Sequence, residues 1–353
     1  MLVARPSGNN ASCGRCDIDS LASSLILITP GVSYAPVTAG TTRLGIGLAA
    51  VARPAYITSG RAADLGAQRS VSDLRARTEA VLDAAYAAGI RYIDVARSYG
   101  RAEEFLAGWL AHHPDVDDVE IGSKWGYRYV GEWRLDAPVH EVKDHSVAAF
   151  TEQLAESAAL LGPRLAVYHV HSATLGSGAL DDAALHRALA GLRDHGVRVG
   201  LSTSGPAQAD AVRRALDIKV GGAPLFTSVQ STWNVLEPSV GPALSEAADA
   251  GARVIVKVGV ANGRLTPGAP DAPPRVVALA AELGVPLDQL AIAAALAQPW
   301  AWCVLSGAVD PAQVTSNAAA AGVSLPAGAL GELGTLAEDA GTYWSARSAR
   351  AWS

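Results

Sequence analysis

Tyr92-Ile93-Asp94-Val95-Ala96-Arg97-Ser98-Tyr99-Gly100 is the stretch on which the reading of this chain turns. A short β-type run reaches its end at Asp94, Tyr99 follows in a loop, and a helical period opens at 101. The same order recurs on both sides of it. Strands are predicted at Leu44–Leu48, Arg91–Val95, Asp118–Ser123, Leu165–His169, Val197–Ser202, Phe226–Gln230, Arg253–Lys257 and Trp302–Leu305. Between them the periodicity predicts helices over 71–88, 101–111, 145–161, 181–194, 206–216, 240–250, 286–297 and 310–320. In the helix at 71–88, Leu74, Val81, Leu82, Ala85 and Tyr86 share one stripe, while Asp73, Arg77 and Asp83 lie elsewhere. Gly89, Gly196 and Gly251 each close a helix just before a strand, where a left-handed cap is needed.

Unbroken alternation of strands and helices predicts an α/β fold: a (β/α)8 TIM barrel, as a single domain. A doubly wound sheet also alternates, but no G-x-G-x-x-G follows the first strand; Leu44-Gly45-Ile46-Gly47 runs into a long loop. Pro267, Pro270, Pro273 and Pro274 read as the loop 265–274 after strand seven rather than a linker. Residues 1–40, rich in Ser, Gly, Asn and Pro, read as a flexible or loosely docked N-terminal extension. The barrel is expected over 41–325, with a C-terminal helix and tail over 326–353.

Composition narrows the function classes. Of 353 residues 50% are apolar and 18% charged, enough for a large core and too apolar for a disordered chain. The net charge of −6 with no basic block argues against nucleic acid. No apolar run reaches the ~18–20 residues of a membrane span. Cys13, Cys16 and Cys303 cannot build a disulfide framework, and a reducing, cytoplasmic location is expected. The lone Cys13-Gly-Arg-Cys16 has no second pair to complete a zinc site. Nothing in the pattern sets an oligomeric state.

In a barrel, chemistry sits where strands end and βα loops begin. Those positions supply Asp94, Tyr99, Lys124 and, just past strand four, His171. Singly, each has a plain structural role as a cap, a core ring or a snorkelling amine; converging on one mouth, they describe a proton donor. A phenol with a pKa of about 10 gives up its proton poorly at neutral pH. A neighbouring ammonium is expected to lower it, with Asp94 aiming Lys124 and His171 bonding a carbonyl oxygen or the phenol. This suits an oxygen gaining negative charge, as in carbonyl reduction.

Taken together, these segments resemble the aldo-keto reductases: Leu44-Gly45-Ile46-Gly47, Tyr92 to Gly100 with Ala102-Glu103-Glu104, Gly122-Ser123-Lys124, Val167-Tyr168-His169-Val170-His171 and Gly200-Leu201-Ser202. The resemblance covers about residues 43 to 322. It implies that Asp94, Tyr99, Lys124 and His171 form the catalytic tetrad. It also implies NAD(P)-dependent interconversion of an aldehyde, ketone or sugar carbonyl and its alcohol, with a small-molecule substrate. The cofactor then lies across the barrel mouth, near Ser202, Thr203, Gln230, Lys257, Ala261, Arg264, Gln313 and Asn317. Gln230 matches a carboxamide-binding Gln and Asn317 an adenine-contacting Asn. Lys257 stands where relatives often stack an aromatic on the nicotinamide. Thr203 replaces an Asn, Gln313 an Arg that pairs with a 2′-phosphate, and Ser316 a Glu. The family habit favours NADP over NAD. Trp125 and Tyr127, with Tyr129 and Trp133 nearby, are expected at the substrate mouth, and Tyr343 and Trp344 are candidates to cap it.

Two other readings use the same residues. One is a cofactor-binding regulatory subunit on the same barrel. The other is a metal-dependent barrel hydrolase using His169 and His171, which as i and i+2 on a strand face one side. No later strand end offers a further His, so His169 is expected in the core.

Overall fold

The computed structural model describes residues 42–58, 60–326 and 328–352. The extension expected over 1–40, with Cys13 and Cys16, lies outside the described residues. The predicted strands form in the predicted order: β1 (Leu44–Gly47), β2 (Tyr92–Asp94), β3 (Glu120–Trp125), β4 (Leu165–Ala173), β5 (Arg198–Thr203), β6 (Ser228–Thr232), β7 (Arg253–Lys257) and β8 (Cys303–Ser306). All neighbours are parallel and follow chain order, and β8 closes the barrel on β1. Around it lie α1 (Val71–Ala87), α2 (Ala102–His112), α3 (Val147–Leu161), α4 (Ala183–Asp194), α5 (Gln208–Leu216), α6 (Gly241–Asp249), α7 (Pro274–Glu282), α8 (Leu287–Leu296) and α9 (Pro311–Ala319). Two short helices follow, α10 (Ala329–Gly334) and α11 (Ala340–Ser348). No single helix among the described residues is long and apolar enough to cross a membrane.

Local chemistry sets the element ends. The Ser70 hydroxyl accepts the Asp73 N–H while Asp73 accepts the Ser70 N–H, a reciprocal cap that starts α1. Gly89, Gly196 and Gly251 take φ of 82°, 94° and 83°, the left-handed turn expected before each strand. The apolar stripe of α1 buries Leu74, Val81, Leu82 and Ala85 against the strands.

The barrel has two packed layers. Phe105, Trp109, Phe150 and Leu154 fill the shell between strands and helices. Tyr92, Val167, Ile255, Cys303 and Leu305 fill the interior. A Cβ at Gly200 would lie 2.5 Å from Cδ2 of His169, so the glycine makes room for an imidazole inside the barrel.

Helix α7 begins where the sequence reading ended a proline-rich loop. Pro274 is its first residue, a position where a missing N–H costs nothing and the ring presets φ. Its buried Val276, Leu279 and Ala280 join α8, Leu333, Tyr343 and Trp344 in a satellite core. This core fastens the C-terminal helices to the barrel. The loop after β3 holds a hairpin that the sequence did not suggest, Tyr127–Tyr129 against Glu141–Lys143.

Candidate active site

The register of the strands brings the four sequence-predicted residues together. Asp94, last in β2, stands between Gly47 of β1 and Gly122 of β3, and Lys124 stands beside His169 of β4. Fully buried Lys124 donates from Nζ to Asp94 Oδ2 at 2.5 Å and to the Val95 carbonyl at 2.9 Å. Gln230 Nε2 donates to the other carboxylate oxygen of Asp94 at 2.7 Å. The Tyr99 ring lies over the ammonium, 4.8 Å from Nζ to the ring centre. Its hydroxyl is 3.4 Å from His171 Nε2, and Ser98 Oγ is 3.5 Å from His171 Nδ1.

The charge states follow from burial more than from pairing. Burial pushes the Tyr99 phenol well above 10; Asp94 and Tyr56 add to this and Arg53 opposes it. The lowering by Lys124 expected from sequence is thus reversed, because Asp94 meets the ammonium at 2.5 Å and the phenol is desolvated. Burial lowers the Lys124 ammonium, and Asp94 opposes that. His171 falls well below 6.5, first by burial and then by the charges of Lys124, Lys257 and Arg53. At neutral pH the site therefore presents a protonated phenol and a neutral imidazole, two hydrogen-bond partners for one oxygen.

These groups open onto a cavity of about 250 Å³. Asp94, Tyr99, Tyr127, His171, Gln230 and Lys257 line it. A second hollow of about 400 Å³ carries Gln313 and Asn317 in its wall. Ala50, Thr58, Val260, Gly263 and Gly307 border both, so one trough runs from the tetrad to the start of α9. The Asn317 amide is held by Ser306 Oγ at 2.8 Å, and the Gln313 amide by Asp64 at 3.0 Å.

Five other predicted residues stand away from the trough. Trp125 alternates with inward Lys124, so it points into the helical shell, between Phe150 at 5.1 Å and His145 at 5.9 Å. Ser202 is buried and accepts the Ser172 N–H at 2.8 Å. Thr203 shares a hydrogen bond with Ser231 at 2.7 Å. Ala261 is buried within its loop. Arg264 grips Glu338 through two bonds of 2.9 and 2.6 Å, tying the β7 loop to the C-terminal segment. Tyr343 and Trp344 do not cap the mouth either; their polar atoms meet Asn234 at 3.0 Å and Glu237 at 3.3 Å in the satellite core. The two histidines of β4 also part company. His169 Nε2 lies 2.9 Å from Ser228 Oγ inside the barrel. Beyond Val170 the strand loses register, Ser172 takes φ 50°, and His171 faces the cavity. Among the described residues, no group of three or more His, Cys, Asp or Glu side chains is placed to hold a metal ion.

Sequence reasoning missed Arg53, Glu141, Arg347 and Trp352, which also line the cavity. Arg53, 1% exposed, pairs with Glu141 of the hairpin at 2.7 Å. Its guanidinium lies over the rings of Tyr56, Tyr99 and Trp352 at 4.4, 4.9 and 5.1 Å. Trp352 stacks on His140 at 4.5 Å, so the end of the chain roofs the site. These contacts join the loop after β1, the hairpin and the tail, and no local pattern announces them.

Comparison with known proteins agrees with this architecture. The sequence model described as the Aldo/keto reductase family matches residues 62–337, and the chain belongs to that family. It is an NAD(P)-dependent oxidoreductase of carbonyl compounds. Among solved structures it is similar to an aldo-keto reductase from Bacillus halodurans in its holo form (TM-score 0.64, 21% identity, 88% of this chain and 96% of that one). It is also similar to the glycerol dehydrogenase of Gluconobacter oxydans (0.62, 20%, 88% and 95%). A third is an aldo/keto reductase from Klebsiella pneumoniae in complex with NADP and acetate (0.59, 20%, 84% and 91%). At such identities the likeness is one of fold. No curated protein gives a match.

Proposed function

We propose that this chain interconverts a small aldehyde, ketone or sugar carbonyl and its alcohol, with Tyr99 as the proton donor and acceptor. The observation that carries the reading is the Tyr99 hydroxyl 3.4 Å from His171 Nε2 at a cavity wall, above the buried Lys124–Asp94 pair. Both groups address one position for a substrate oxygen. His171 orients that oxygen and Tyr99 protonates it. Lys124 and Asp94 hold the ring floor rigid and satisfy each other's charge.

The trough fits a dinucleotide. Gln230 Oε1 is buried without a partner among the described residues, as a carboxamide-binding oxygen should be before its ligand arrives. Asn317 and Gln313 stand at the far end. Bound NAD(P)H supplies the hydride. Lys257, its amine 3.4 Å from Thr232 Oγ1, is brought down to about 7, first by burial and then by Arg347 and Lys124, with Asp94 opposing. Near neutral pH it loses its charge readily, which eases its place beside an oxidised nicotinamide. Tyr56, Tyr99, Tyr127 and Trp352 give the cavity aromatic walls, suited to a carbonyl with an apolar or ring-shaped body. The tail within 326–353 then belongs to the site rather than to a separate unit. A cytoplasmic location fits the buried free thiol of Cys303.

Tyr99→Phe tests the reading. Turnover over a panel of aldehydes is expected to fall about 10²- to 10⁴-fold, while nicotinamide-cofactor binding by fluorescence titration persists. Undiminished turnover in that variant would overturn the role of Tyr99.

A further inference from the structure

The far hollow of the trough carries a charge pattern of its own. Its described walls hold three carboxylates, Asp64, Asp288 and Asp310, and no lysine or arginine. Asp310 caps α9, accepting the Gln313 N–H at 2.9 Å. Asp64 accepts the Gln313 side-chain amide at 3.0 Å, and the other end of that amide accepts the Val309 N–H at 3.0 Å. Gln313 is therefore held at both ends. Asp288 accepts the Ser316 hydroxyl at 2.8 Å through Oδ2. Among the described residues its Oδ1 has no partner, although the residue is only 6% exposed. A buried, acceptor-only oxygen in a ligand-sized hollow is satisfied by a donor that arrives with the ligand.

We propose that Asp288 and Asp64 make this hollow a subsite for an unphosphorylated adenosine, so that the enzyme selects NAD(H) over NADP(H). Asp288 Oδ1 takes a hydrogen bond from a hydroxyl or amino group of the adenosine, the service a carboxylate performs for the ribose in dinucleotide sites. A 2′-phosphate brings about −1.5 to −2 charges at pH 7 and only acceptor oxygens. Among the described residues it meets no cation in this wall, and two carboxylates besides the capping Asp310. This reverses the preference for NADP drawn from family resemblance, and it rests on the trough being the cofactor site.

Calorimetric titration of the whole protein with NADH, NADPH, 5′-AMP and 2′,5′-ADP reads the subsite without turnover. NADH is expected to bind at least ~30-fold more tightly than NADPH, and 5′-AMP more tightly than 2′,5′-ADP, with both gaps shrinking as salt rises. Asp288→Asn and Asp64→Asn together should narrow the ratio about tenfold or more. Gln313→Arg, a change at the hollow's wall, should tighten NADPH and 2′,5′-ADP selectively by supplying the missing fork. NADPH binding equal to or tighter than NADH overturns this inference alone. Binding of neither dinucleotide overturns the placement of the cofactor, and this inference with it. Should the aspartate variants lose thermal stability, the Gln313→Arg ratio decides; an unchanged ratio there counts against the subsite.

Discussion

Lys124 shows no surface to solvent and Asp94 almost none, and each is the other's nearest charge, 2.5 Å away. Breaking such a pair costs more than the pair contributes, because the surviving charge stays buried. Lys124→Met is therefore expected to lower unfolding free energy by about 3–5 kcal/mol in urea titrations. Lys124→Met with Asp94→Asn should recover much of that loss, since Gln230 can still bond the amide that replaces the carboxylate. A double variant no more stable than the single one would mean that the charges are not coupled. At this scale Asp94, Tyr99, Lys124 and His171 were legible as a cluster because each stands at, or just beyond, a strand end of a recognisable repeat. The direction of the Tyr99 shift was not. It depends on Asp94 lying 2.5 Å from Lys124 and on desolvation of the phenol. Arg53, the cation that does oppose the shift, sits on a loop with no pattern to mark it.

Strands read well from sequence because their periodicity is enforced by burial on both faces; helices read well where a glycine or a cap marks an end. Helix α7 escaped because its opening prolines look like loop chemistry until Val276, Leu279 and Ala280 are seen to share a face. The β3 hairpin escaped because a long stretch, with Glu132 at φ 48° and Trp133 at φ 62°, separates its two three-residue strands. Two glycines separate structural necessity from mere tolerance at the level of the element. Gly200 of β5 has His169 Cδ2 at 2.5 Å and the Ser228 carbonyl at 2.6 Å from the position of a Cβ. A Cβ at Gly191 of α4 would meet nothing within 4 Å among the described residues beyond its own helix. Gly200→Ala should destabilise by about 1–3 kcal/mol or more, because backbone as well as a ring must move. Gly191→Ala should stabilise by about 0.5–1 kcal/mol, by helix propensity alone. Thermal melts of the two variants check both signs; a neutral Gly200→Ala would show that the interior yields.

For the whole molecule, the imidazoles packed within the barrel and at its mouth tie folding to pH. Burial brings His169 down to about 3, with Lys124 adding to it and the Ser123 backbone opposing. Burial brings His145 down to about 4, opposed by its bond to the His171 backbone. His171 falls well below 6.5 for the same first reason. A lowered folded pKa means that the unfolded chain binds more protons between that value and 6.5. Stability from these rings is thus complete above about 6.5 and is lost progressively as pH falls from 6.5 down to the folded values. Depressed carboxylates such as Asp144 act at lower pH, having ordinary values near 3.8. Between pH 5 and 6.5 the histidines therefore dominate, each contributing up to about 1.4 kcal/mol per pH unit. Unfolding at pH 5 should take up protons on His145, His169 and His171, with His140, also lowered by burial, adding to them, read from the pH slope of urea-derived free energies. Lys257 works in the opposite window: lowered from 10.5 to about 7, it is a cost to the fold below 7 that is relieved as pH rises toward 10.5. His169→Asn keeps a polar group beside Ser228 and should remove one proton from the slope at pH 5, whatever it does to absolute stability. An unchanged slope in that variant would mean that the ring inside the barrel is already protonated in the folded state, and that burial does not govern this interior.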